Sequence, residues 1–216
     1  LHYIFPESPK SLSEAYFPNA LHFLMLLEES KVKIGWLPNW LVKDKSAQKE
    51  ELNFDNDLIG KSSALALEFA KTAILRMASV VKEYFDMVRM YSFKNNPKAV
   101  EESETLELMI DKYDERIHDY LIKIAKEGLS TADSKRLSRN LDVVKDLERI
   151  GDHLNNLVKF FSERYDNGQQ LSEDGQSELN VIYDVIDEML TLTIEAFETK
   201  DKETAKRILE LENEVD

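Results

Sequence analysis

The chain has 216 residues, with 28 Lys and Arg against 42 Asp and Glu, for a formal net charge of −14. Such acidity excludes a basic nucleic-acid groove, and the absence of cysteine excludes disulfides and thiolate metal sites. What remains is a protein that meets cations or basic partners, in keeping with a reducing cytoplasm.

The longest apolar run, Ala20 to Leu27, is far short of the roughly 20 residues that cross a bilayer. No signal peptide is visible. The chain begins at Leu1 and stops at Asp216 in mid-pattern, which suggests a piece of something longer.

Residues 1–57 hold Pro6, Pro9, Pro18 and Pro38 and both tryptophans, Trp36 and Trp40. They read as an N-terminal arm or linker. A sharper reading of Ile34 to Val42 is an interfacial segment beside a membrane, where tryptophans concentrate. From Leu58 the apolar residues take up helical spacing. Helix one is predicted from about Ser62 to Tyr91, with Leu67, Ala70, Ile74, Met77, Val81, Phe85 and Val88 inward. Lys94-Asn95-Asn96-Pro97 breaks it. Helix two runs from about Lys98 to Lys126, with Gly128 as its C-terminal stop. Ser130 or Thr131 caps helix three, which continues to about Tyr165 and ends at Asp166-Asn167-Gly168. Helix four starts near Ser172 and runs to about Thr199, and helix five starts near Lys202. Helices this long with short connectors mean antiparallel bundles. The expected fold is all-α, with a first three-helix bundle over 58–168 and the start of a second over 169–216.

Polar residues repeat at fixed spacing. Asp142, Asp146, Arg149 and His153 stand at i, i+4, i+7 and i+11 on helix three. Glu107, Asp111, Asp114 and His118 repeat that spacing on helix two, and Glu212 and Asp216 begin another copy. The resemblance of LELENEVD to TLELMIDK makes helices four and five look like a second copy of helices one and two. Gly151 falls within helix three, where glycine costs about 1 kcal/mol relative to alanine; close approach of a neighbouring helix would justify it. If helices two and three are antiparallel neighbours, Glu107, Asp111, Asp142 and Asp146 would converge. Four such carboxylates repel one another unless a hard cation relieves them. The plainer reading is a solvated acidic face, with His118 and His153 as surface residues and Arg149 paired to Glu148. Glu115-Arg116-Ile117-His118 supplies one Glu-x-x-His of a di-metal oxidase, a design that needs two. An adaptor bundle without metal is the third alternative.

DLERIGDHLNNL (Asp146 to Leu157), with Asp142 upstream, resembles the signature helix of PhoU domains. LELENEVD (Leu209 to Asp216) resembles the Glu-xxx-Asp motif of the same family's other helix. FDNDLIGKSSALALEFAKTAILRMA (Phe54 to Ala78) resembles the linker and first helix of PhoU domains at the C-terminus of bacterial sodium/phosphate cotransporters. The resemblance implies a cytoplasmic all-helical domain at the inner face of the cell membrane, regulating inorganic phosphate uptake rather than catalysing a reaction. It implies metal ligands at Glu107, Asp111, Asp142, Asp146, Glu212 and Asp216, with His118, Arg149 and His153 behind them. The metal would be a divalent or trivalent ion: iron, manganese, magnesium or zinc. The expected partner is the membrane domain of a phosphate transporter, to which the domain would be attached or, in the alternative, on which it would act as a free-standing phosphate uptake regulator, with inorganic phosphate and a second copy of the chain as further candidates.

Overall fold

The structure is a computed structural model and describes residue 54 and residues 56–215, with side chains as far as Leu211. The expectations for residues 1–53, including Trp36 and Trp40, lie outside the described residues, as do Asp216 and the Glu212 side chain.

Every regular element among the described residues is helical: α1 Asp57–Lys61, α2 Ser63–Phe93, α3 Ala99–Ala125, α4 Thr131–Asp166, α5 Glu173–Thr199 and α6 Lys202–Val215. The starts follow capping chemistry. The Ser62, Ser130 and Ser172 hydroxyls accept from the backbone N–H groups of Leu65, Asp133 and Gly175 at 3.4, 3.1 and 2.9 Å, satisfying donors that a first turn leaves open. The predicted first helix is α2, which starts as expected at the Ser62 cap; the short α1 precedes it, separated by the extended backbone of Ser62. Gly168 takes a left-handed φ of 67° just past α4, as a glycine stop should. Gly128 does not take one: α3 has already ended at Ala125, three residues earlier.

Helices α2, α3 and α4 pack each against the other two. Their apolar stripes meet in one core of fully buried side chains, among them Leu67, Ile74, Met77, Phe85, Ile110, Ile117 and Leu147. Contacts between α3 and α4 pair residues in descending order, Glu107 with Asn155 and Ile110 with Gly151, so the two are antiparallel. Contacts of α2 with α4 ascend, from Glu68 with Arg136 to Ser92 with Arg164, so these run parallel. The C-terminus of α2 is closed by α4: the Tyr165 hydroxyl donates to the Tyr91 carbonyl at 2.6 Å and Arg164 donates to the Ser92 carbonyl at 3.3 Å.

Helix α5 pairs with α6 and lies against α2. The α2–α5 contact is ionic as well as apolar. Lys82, only 2% exposed, is held by Asp86 at 2.5 Å and by Asp187 of α5 at 2.7 Å. Arg89 pairs with Asp184 at 2.6 Å, and the Tyr183 ring packs edge-on to Phe85 and Phe93. At the other end of the bundle, Phe54 stacks on Tyr120 with ring centroids 4.4 Å apart. That stack fixes where the chain enters the bundle.

Candidate metal centre

The register of α3 against α4 decides which acids meet. A Cβ built on Gly151 would lie 3.1 Å from Ile110 Cδ1 and 3.3 Å from Ile110 Cγ2. The glycine is therefore where α3 comes closest, as its position in the helix suggested. Four residues before Asp111, Glu107 accepts a hydrogen bond from Asn155, a side chain nine-tenths buried. One turn on, Asp111 faces Asp152 and Glu148 of α4. Its carboxyl is pushed up from its ordinary value by burial first and then by these two like charges, with Lys145 opposing. A turn further, Asp114 is raised by burial and by Glu148, while Lys145 and His118 favour its ionised form. Lys145 Nζ lies 2.6 Å from Glu148 Oε2.

The carboxylates across the seam from Glu107 and Asp111 are therefore Glu148 and Asp152, not Asp142 and Asp146. At about 100° per residue, Asp146 and Asp152 point roughly 120° apart on α4. The predicted row of Asp142, Asp146, Arg149 and His153 lies on the flank of the core away from α3. There Asp146 is 9% exposed and its carboxyl is pushed up to about 6, by burial chiefly and by Asp142, against the pull of Arg149. Arg149 stands 3.6 Å from Asp146. The expected Arg149–Glu148 pair does not form, because Glu148 is taken by Lys145 and Arg149 by Asp146. His153 is half-buried on that same flank, and His118 is exposed one turn beyond Asp114. Glu115 and His118 both face outward while Ile117 is fully buried, so the Glu-x-x-His motif does not enter the core.

A signal for the missed pair was present. Glu148-Arg-Ile-Gly-Asp152 has the same Glu-xxx-Asp spacing as Glu107-Leu-Met-Ile-Asp111. It was obscured by the parallel spacing of Asp142 and Asp146, and by Arg149 beside Glu148, which reads as a salt-bridge partner.

Carboxylates at i and i+4 sit on adjacent turns, about 6 Å apart at Cβ, so Glu107 and Asp111 form one pair and Glu148 and Asp152 another. Hard oxygen donors on two facing helices suit Mg²⁺, Mn²⁺ or iron, and the raised Asp111 carboxyl registers the repulsion that a cation would relieve. Among the described residues no three such side chains stand close enough to hold an ion without moving. The donors fit a metal in kind, and their side chains would have to turn inward from the row to enclose it.

Comparison with known proteins bears on what this seam belongs to. No solved structure matches the chain. The chain is similar to an uncharacterized protein of Methanocaldococcus jannaschii, MJ1641, at 26% identity over 176 residues, which is 82% of this chain and 56% of that protein. It thus spans little more than half the length of that curated relative. The PhoU domain model matches residues 74–161 and 179–216. The first match runs from α2 through α4 and contains both facing acid pairs; the second covers α5 and α6. The chain belongs to the PhoU domain family.

Proposed function

We propose that this chain is a regulatory domain of inorganic phosphate uptake, that its α3–α4 seam binds a metal ion, and that it acts on a sodium-dependent phosphate transporter at the cytoplasmic face of the membrane. Membership of the PhoU family supports the regulatory role. The observation that carries the site is the register of α3 on α4, Ile110 against Gly151 and Asn155 on Glu107, which sets the Glu107–Asp111 pair beside Glu148 and Asp152. Iron, manganese, magnesium and zinc are the candidates, held by Glu107, Asp111, Glu148 and Asp152. The row around Glu212 and Asp216 would supply a corresponding set in the second repeat. Bound metal would supply positive charge on an otherwise acidic face. Glu107 and Asp111 would fix the ion to α3 and Glu148 and Asp152 to α4, while Asn155 orients Glu107. Neutralising this face would let it dock on a transporter, with phosphate as an additional ligand of the ion.

Calorimetric titration of chelator-treated protein with Mn²⁺, Mg²⁺, Fe²⁺ and Zn²⁺ tests the site. Binding of at least one of them is expected in the parent, with a loss of tenfold or more in Glu148→Gln/Asp152→Asn and little change in Asp142→Asn/Asp146→Asn. The reverse pattern would move the site to the other flank of α4. Sodium-driven phosphate uptake in vesicles, with and without the domain and its metal, tests the regulatory role; identical uptake in every case would refute it. Among the described residues no helix is long and apolar enough to cross a membrane.

A further inference from the structure

We propose that the last turn of α2, where α4 and α5 meet it, is a binding site for an oxyanion, held by the Arg164 guanidinium and the Tyr183 hydroxyl. The site is separate from the α3–α4 seam and needs no metal. Arg164 is only 9% exposed. Its Nη2 donates to the Ser92 carbonyl at 3.3 Å, and its guanidinium lies 5.1 Å from the ring centroids of both Phe161 and Tyr165. Those contacts fix the group in place. Its Nε and Nη1 are enclosed and meet no acceptor among the described residues. The Asp184 carboxylate pairs with Arg89 at 2.6 Å. Tyr183 of α5 brings another open donor. It is fully buried, and its ring stands edge-on to Phe93, one residue past the carbonyl that Arg164 caps. Its hydroxyl meets no partner among the described residues. Burial above all raises its pKa, while Ser92 and the charges of Arg89 and Arg164 oppose that rise, in keeping with their place around the hydroxyl.

An enclosed cation is costly to leave uncompensated. The carbonyl at the end of α2 lies at the negative end of that helix's dipole, so it offsets part of the Arg164 charge, but it occupies only one of the guanidinium's five N–H donors. Water could satisfy the rest; an anion would also balance the charge. Guanidinium N–H and phenol O–H both donate, and a planar, permanently charged guanidinium is the side chain best matched to a phosphate-type oxyanion. Because Arg164 belongs to α4 and Tyr183 to α5, a bound oxyanion would tie α5 to the first bundle. The choice of inorganic phosphate as occupant rests on the regulatory reading of the chain; the oxyanion site itself does not.

The test is the melting temperature of the chelator-treated full chain in millimolar phosphate, sulfate or chloride at matched ionic strength. Chelation keeps phosphate from binding through a metal. The parent is compared with Arg164→Met, Tyr183→Phe and, as a control for general charge, Lys159→Met at an exposed position of α4. In phosphate the parent should melt about 3 °C or more above its value in chloride, and Lys159→Met should keep that gain. Arg164→Met should lose it. Tyr183→Phe, which keeps the ring and removes only the hydroxyl, should lose at least half of it, and it carries the test alone if Arg164→Met fails to fold. If phosphate and sulfate stabilise the parent no more than chloride does, water satisfies these donors and the site is refuted. If Tyr183→Phe keeps the parent's full gain, the anions act by general exclusion from the protein surface and the site is likewise refuted. A gain in sulfate without one in phosphate would uphold the oxyanion site and separate it from phosphate regulation.

Discussion

Ile110 of α3 lies against the backbone of Gly151 in α4, at a distance that leaves almost no room for a Cβ. The residue that follows each of them carries a carboxylate, Asp111 and Asp152, and the charge of Asp152 is among those that push the Asp111 carboxyl up. The close approach of the helices and the meeting of the acids are one geometric fact.

Substitution at Gly151 should therefore act on the seam as well as on the core. Gly151→Ala gains helix propensity of up to about 1 kcal/mol but asks Ile110 to yield a few tenths of an ångström, so its stability should stay close to the parent. Gly151→Val adds branched bulk against Ile110 and should cost about 2 kcal/mol or more. It should also widen the seam and weaken Mn²⁺ binding. Urea denaturation and calorimetry check both; a Gly151→Val protein as stable as the parent would show that the helices are free to separate.

The Asp111 carboxyl is raised by burial and by its acidic neighbours, so in metal-free buffer its charge opposes folding. Asp111→Asn should raise the metal-free melting temperature, by an amount corresponding to less than about 1 kcal/mol at so accessible a position. With saturating Mn²⁺ the order should reverse, because the parent gains binding energy that the variant has lost. Thermal scans with chelator and with Mn²⁺ give the comparison, and a variant that is equally stabilised in both would remove Asp111 from the ligand set.

How much of this was legible beforehand divides along a physical line. Spacing along one helix is local, and the inward stripe of α2 was readable from it: Leu67, Ile74 and Phe85 are all buried. The contact that Gly151 permits was readable too, because a mid-helix glycine needs a reason. Register between helices is not local. Asp142 and Asp146 have the right spacing on α4, yet Glu148 and Asp152 have it as well, on the opposite flank of the core. Only the packing of Ile110 on Gly151 decides which pair meets α3. The start of α2 at Ser62 was readable from its cap, whereas the five-residue α1 before it is too short to show a helical period.

Asp146 shows what the other flank does. Its carboxyl is pushed from its ordinary value of 3.8 up to about 6, chiefly by burial. Between these values the native state holds a proton that the unfolded chain has released. Stability therefore falls as pH rises through this window, and the cost is complete above it. Asp146→Asn should remove that cost. The variant should be more stable than the parent at pH 7.5, by no more than about 3 kcal/mol, because each tenfold change in proton affinity corresponds to roughly 1.4 kcal/mol. At pH 4 it should be no more stable than the parent. Urea denaturation in chelator at the two pH values measures this; an equal difference at both would show that the gain is not titration.

Lys82 joins the first bundle to α5, and its burial makes the joint costly to break. Asp86 and Asp187 hold its ammonium, and Asp187 is itself only 13% exposed. Removing the cation leaves a buried carboxylate without a partner, a defect that costs about 3–5 kcal/mol where the pair is fully enclosed. Lys82→Met should therefore lose about 3 kcal/mol. Replacing both partners avoids the stranded charge, so Lys82→Met/Asp187→Leu should recover most of that loss. Hydrogen exchange should locate the effect: in Lys82→Met the amides of α5 should exchange faster than those of α3. If the single variant is as stable as the parent, the ion pair contributes nothing to the joint, and the Tyr183 packing on Phe85 and Phe93 holds α5 in place without it.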